Sequence, residues 1–112
     1  MNRAQKNNNP VNLRYAGQYE ATGQDDAGFA VFPTPAAGWR AAHAQIRLDQ
    51  SRHLDLTQFI NKFAPPEEND TRAYLKFVAD ELLLTSLKEP LEWISVYAMA
   101  GVMAQMEGYY NK

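Results

Sequence analysis

The spacing of hydrophobic residues changes along this chain and divides it into segments of different predicted structure. Residues 1–9 are mostly polar and are followed by Pro10, a pattern that predicts a flexible polar arm. Two short stretches with alternating polarity follow, Leu13–Tyr15 and Phe29–Phe32, and several glycines lie between them. This pattern predicts a small, irregular β-hairpin lobe.

Helical spacing dominates the rest of the chain. A first helix is predicted over residues 36–50, and a short second helix over residues 57–63. The second helix opens at a capping box formed by Asp55 and Gln58. Asn69 or Asp70 can cap a third helix, which carries Tyr74 on its apolar face.

The last predicted helix is the most apolar segment of the chain. Residues from Trp93 to Met106 carry no charge, which predicts a helix buried in the core. Its length of roughly 21 Å is too short to cross a bilayer. Glu107 follows directly, where the core would meet solvent. Partial burial there favours the protonated carboxyl that a general acid needs. The alternative is a surface glutamate on a frayed last turn.

Composition limits the classes of protein to which the chain can belong. Its 112 residues predict a single domain covering 1–112, and 46% hydrophobic with 21% charged residues indicate a folded globule. A net charge of −2 without a basic stripe argues against a nucleic-acid partner. The chain has no cysteine, and its polar start predicts neither a signal peptide nor membrane insertion. His43 and His53 have no third ligand at metal spacing, so no metal or other cofactor is expected.

Polar motifs interrupt the helical scheme at the asparagine-rich opening, at residues 65–71 and at Glu107. The opening N-N-N-P-V-N-L-R-Y and the block A-P-P-E-E-N-D-T followed by Tyr74 resemble a family of phage-encoded, virion-associated lysozyme-like proteins. The resemblance covers almost the whole chain. Its further matches are Phe29, Phe32, Thr34, Pro35, Gly38, Arg40, Ala41, Thr57, Ile60, Lys62, Phe63 and Val78.

The resemblance implies a lysozyme-like domain that is mainly α (α+β), with a small β-hairpin lobe and a central buried C-terminal helix. The order of the segments implies a circular permutation, because the helix with the acid glutamate comes last. The chain departs from the family pattern in two places. Val11 replaces a glycine, and Gly108-Tyr109 stand where Asn-Gly is expected, which puts activity in question.

Site residues follow from the same resemblance. Cleavage of a β-1,4 glycan needs a protonated carboxyl and a second group that supports the oxocarbenium-like transition state. Glu107 is the predicted acid. Glu68 is the predicted second carboxylate, with Asp70 as the alternative, although Asp70 can equally cap a helix.

The remaining predicted residues would bind substrate. Asn9 and Asn12 are predicted to bind N-acetyl groups. Aromatic residues are predicted to pack on sugar faces, with core packing as the alternative for each; they are Tyr15, Phe29, Phe32 and Tyr74.

The expected function is therefore a peptidoglycan-degrading muramidase or lytic transglycosylase. Bacterial peptidoglycan is the expected partner, together with other phage virion or tail proteins. The expected location is the phage virion or, after delivery, the bacterial periplasm. The alternative is a non-catalytic virion structural or peptidoglycan-binding protein on the same fold.

Overall fold

The computed structural model describes all residues from Met1 to Lys112 and is mostly helical. Its elements, in chain order, are α1 (Arg3–Lys6), β1 (Gly23–Gln24), β2 (Ala30–Val31), α2 (Pro35–Ser51), α3 (Leu56–Phe63), α4 (Thr71–Glu81), a 3-10 turn (Leu91–Trp93) and α5 (Val96–Met106). The prediction of a mainly helical α+β fold with a small hairpin is confirmed. No helix is long and apolar enough to span a membrane.

Side-chain caps fix where α2, α3 and α4 begin. The Thr34 side chain accepts a hydrogen bond at the start of α2, and Pro35 occupies the first turn, where its missing N–H costs nothing. Asp55 and Gln58 form the predicted capping box of α3. Asp70 accepts from the Ala73 N–H at 3.1 Å and caps α4, as one of the two predicted alternatives.

The C-terminal helix starts later than predicted. Trp93 lies in the 3-10 turn and is 73% exposed, and α5 begins after Ser95, whose hydroxyl accepts from the Ala98 N–H. The Ser95 cap and the preceding 3-10 turn therefore divide a segment that hydrophobicity alone predicts to be one continuous helix. The buried side of α5 includes Met99 and Met103, while Tyr97 remains exposed, so the helix is not buried all round.

The first nine residues are ordered, in contrast to the expected flexible arm. Asn2 and Gln5 form a capping box on α1, and Ala4 is fully buried. The Asn2 side chain also donates to the Gly108 carbonyl, while Gln5 donates to the carbonyl of Tyr109. These long-range hydrogen bonds attach the start of the chain to its end. The polar composition of residues 1–9 does not predict this contact.

The hairpin lobe is smaller than the two stretches that predicted it. β1 and β2 are antiparallel, with Gly23 opposite Val31. An isolated bridge pairs Arg14 with Phe29 and brings the two predicted stretches together. This bridge places the residues after Pro10 along the same lobe.

The core lies where α5 packs against both α2 and α4, while α3 packs on α4. Asp49 is buried at the edge of this core, where it accepts from Lys62 at 2.6 Å and from Arg52 at 3.0 Å. The largest fully buried apolar side chains of the core are Phe32, Phe59, Ile46, Leu56, Ile60, Leu91, Met99, Met103, Val11 and Val78. Because α5 is fixed on two sides, the residue after its last turn is held in a defined place.

Candidate active site

Glu107 terminates α5 and faces a cleft between the hairpin lobe and the end of α3. Its backbone N–H still donates to the Met103 carbonyl at 2.9 Å, so the residue continues the helix rather than fraying. The cleft has a volume of about 350 Å³. Its walls are formed by Arg3, Asn12, Arg14, Ala27, Phe29, Phe63, Ala64, Glu68, Asn69 and Glu107.

The environment of Glu107 favours its protonated form. Burial raises the pKa of this carboxyl, and the hydrogen bond from Asn12 together with the nearby Tyr74 hydroxyl opposes the shift only in part. The C-terminal end of a helix carries partial negative charge, which also disfavours a carboxylate. Glu107 therefore combines access to a cleft with a raised pKa, as the general-acid prediction requires.

Asn12 contacts this carboxyl directly. Its Nδ2 donates to Glu107 Oε1 at 2.9 Å. The Asn12 backbone is left-handed, with φ of 53°, a conformation that asparagine tolerates better than most residues. The side chain is thereby turned toward the end of α5.

Asn9 is a scaffold residue rather than a substrate ligand. Its side chain is fully buried, donates to the Leu13 and Ala30 carbonyls at 2.9 Å, and accepts from the Leu13 N–H. The amide thus joins the opening segment to β2 and supports the turn that carries Asn12. Burial corrects the prediction that Asn9 binds N-acetyl groups, because no part of its side chain reaches the cleft.

Glu68 lines the same cleft as Glu107. It comes from the loop after α3 and pairs with Arg14 of the hairpin lobe at 2.8 Å. Both side chains are about half exposed, so the pair lies at the mouth of the cleft. Asp70, the alternative second carboxylate, caps α4 and does not line this cleft.

The four predicted aromatic ligands lie in different environments. Phe29 lines the cleft, with the guanidinium carbons of Arg3 and Arg14 at 4.2 and 4.4 Å from its ring centroid. Phe32 is 2% exposed and belongs to the core, which corrects its assignment as a sugar-binding residue. Tyr15 is 40% exposed but does not line the cleft.

Tyr74 is also buried, with 3% of its surface exposed, so its ring packs in the core rather than on a sugar face. Its hydroxyl lies beside Glu107 but completes no regular hydrogen bond. Burial and the negative charge of Glu107 together raise the pKa of Tyr74 well above its usual value. The residue therefore lies beside the predicted acid without lining the cleft.

Several cleft residues were not predicted as functional. The sequence could have indicated Arg14 and Asn69, since they lie in the two polar motifs and each is close to a predicted site residue. It could not have indicated Arg3, because this residue reaches the cleft only through the packing of α1. The histidines lie elsewhere: His43 packs against Trp39 and Tyr97, and no group of three or more potential metal ligands occurs in the structure.

Comparison with known proteins gives a similarity to a phage protein. The chain is similar to Protein P5 of Pseudoalteromonas phage PM2, with 33% identity over 89 residues. The similarity covers 70% of this chain and 54% of Protein P5, so the chain spans about half the length of that relative. No protein-family model matches the chain. The similarity thus links the chain to a phage protein.

Proposed function

We propose that this protein is a peptidoglycan-degrading glycosidase of the muramidase or lytic transglycosylase type, with Glu107 as its general acid. The observation that carries the proposal is a half-buried carboxyl with a raised pKa that lines an open polar cleft. Perturbed carboxyls in clefts are candidates for acid–base catalysis.

In the proposed reaction, Glu107 donates its proton to the glycosidic oxygen as the bond to the sugar carbon breaks. Positive charge then develops on the ring carbon and oxygen, until an oxygen nucleophile forms a new bond to that carbon and releases its proton; the nucleophile is water in a muramidase and a hydroxyl of the same sugar in a lytic transglycosylase. Glu68 is the group in the cleft that can stabilise this charge or activate a water molecule. For either role its carboxylate has to exchange its contact with Arg14, 2.8 Å away, for one with the substrate or the water.

The remaining polar and aromatic groups have binding roles in this proposal. Asn12 can contact an N-acetyl group at the same point where it contacts Glu107. Phe29 offers a half-buried aromatic surface at the wall of the cleft. The similarity to a phage protein supports a virion or tail location, from which the domain would act on the bacterial cell wall in the periplasm.

The decisive variant is Glu107→Gln, which removes the transferable proton and keeps the size of the side chain. Loss of general acid catalysis is expected to reduce muropeptide release about 10²–10⁴-fold. Purified protein is incubated with peptidoglycan, and released fragments are measured by mass spectrometry. Glu81→Gln, the same change at an exposed residue at the end of α4, is the matched control and should release muropeptides at the wild-type rate.

Two further outcomes separate the alternatives. Glu68→Gln is expected to lower the rate of release with little change in stability, because the side chain is about half exposed. A wild-type protein that binds peptidoglycan but releases no fragments would contradict the glycosidase proposal. It would favour a virion structural or peptidoglycan-binding role on the same fold.

A further inference from the structure

Two buried polar side-chain atoms lack a hydrogen-bond partner in this structure, and both belong to residues that contact Glu107. They are the Asn12 Oδ1 atom and the Tyr74 hydroxyl oxygen. Buried polar groups are satisfied in the great majority of cases, and an unpaired one lowers stability. The location of both unpaired atoms at one carboxyl points to a role in the site.

The two residues approach Glu107 from different elements. Tyr74 comes from α4, and Asn12 from the turn that precedes the hairpin lobe. Asn12 reaches the carboxyl from a left-handed backbone, a conformation that asparagine tolerates better than most residues.

The other charged groups at the cleft are already paired. Arg14, in the hairpin lobe, pairs with Glu68 of the loop after α3, and Arg3 of α1 lies 3.4 Å from Asp25. Tyr74 is the titratable group that perturbs Glu107, and α5 itself brings no other charge to the cleft. The immediate polar environment of the carboxyl therefore consists of Asn12 and Tyr74.

We infer that Asn12 and Tyr74 are positioning residues, which hold the Glu107 carboxyl at the cleft and set its proton affinity. The Tyr74 hydroxyl supplies a dipole that stabilises the charged carboxylate, and the Asn12 amide fixes its Oε1 atom. The proton affinity is a property of the folded protein. Its catalytic significance rests on the function proposed above.

The test is the Tyr74→Phe variant, which removes the hydroxyl oxygen and keeps the ring. Titration of Glu107 is followed by NMR in protein labelled with carbon-13 at the glutamate carboxyls, with its signal assigned from Glu107→Gln. Loss of the dipole should raise the titration midpoint of Glu107 by about half a pH unit or more. At an acidic pH where Glu107 is protonated in both proteins, the melting temperature should stay equal or rise, because an unpaired buried group has been removed.

Two comparisons make the result specific. Tyr97→Phe removes a hydroxyl that accepts from Arg47 on a different surface, and should leave the midpoint unchanged. Asn12→Asp keeps the shape and tolerates the left-handed backbone, but places a second carboxyl beside Glu107. The midpoint should then rise further, because two adjacent carboxyls resist joint ionisation.

An unchanged Glu107 midpoint in Tyr74→Phe would overturn the inference. So would a melting temperature that is lower at an acidic pH where Glu107 is protonated, because it would indicate a purely structural hydroxyl. If the wild type releases muropeptides, the alkaline limb of its pH profile should move with the midpoint. If the midpoint moves but the wild type releases none, the positioning roles are supported and the glycosidase proposal fails.

Discussion

Two helical glycines of this protein should respond in opposite directions to the same substitution. A Cβ atom on Gly38, in α2, would lie 1.9 Å from the Asn8 carbonyl oxygen and 2.9 Å from Pro10 Cδ. A Cβ atom on Gly101, in α5, would have no neighbour within 4 Å. The first contact is with backbone, which cannot rotate away as a flexible side chain would.

The expected magnitudes follow from these distances. Gly→Ala within a helix ordinarily stabilises it by about 1 kcal/mol, and Gly101→Ala should show a gain of this size. In Gly38→Ala the Asn8 oxygen must move by about 1.4 Å to reach a normal carbon–oxygen distance of about 3.3 Å. Overpacking of this kind costs about 1–3 kcal/mol and outweighs the helical gain, so this variant should be less stable than wild type.

Urea unfolding followed by circular dichroism measures both variants against the wild type, with the slope checked for two-state behaviour. Because both variants share the helical gain, the two substitutions are expected to differ by the overpacking cost, about 1–3 kcal/mol. Gly38→Ala should also disturb the site, because the displaced segment carries Asn9 and leads to Asn12. A Gly38→Ala protein as stable as Gly101→Ala would refute the close approach of the opening segment to α2.

Three further predictions concern the core, a cap and the pH dependence of stability. Met99→Asp places an unpaired charge at a fully buried position and should abolish the helical circular dichroism signal at 37 °C; a folded variant would contradict the assigned core. Asp70→Ala removes the cap of α4 and should cost about 0.5–2 kcal/mol in urea unfolding, whereas no loss would show that the cap is dispensable. Glu107 has a raised pKa when folded, so its contribution to stability is full below the unfolded pKa of about 4.5 and is lost as pH rises through the folded value. Glu107→Gln should therefore gain stability relative to wild type as pH rises through the folded pKa of Glu107, and a pH-independent difference would count against the raised pKa.

The predictions that succeeded depend on local chemistry. Asp55 and Gln58 predict the start of α3, because a capping box is complete within four consecutive residues. Thr57 to Phe63 then bury Phe59 and Ile60 on one face, as the spacing indicates. The position of Glu107 directly after the most apolar helix was likewise visible in the sequence.

The predictions that failed concern residues whose environment is set by distant segments. Asn9 and Asn12 are the same residue type in the same motif. Nevertheless, the Asn9 side chain hydrogen-bonds to the backbone of Leu13 and Ala30, whereas the Asn12 side chain is turned toward Glu107. Phe29 and Phe32 likewise differ because one lies at the cleft and the other in the core. Asparagine and phenylalanine suit both environments, so residue type cannot distinguish them.

The sequence by itself determined the helices, their caps and the apolar segment that places an acidic residue at the edge of the core, because these depend on contacts within a few residues. Tertiary structure alone decided which side chains meet at the cleft. Asn12 and Glu107 are 95 positions apart, and Arg14 and Glu68 are 54 apart. Such pairs form only when α5, α4 and the hairpin lobe pack together, and packing is a property of the whole chain.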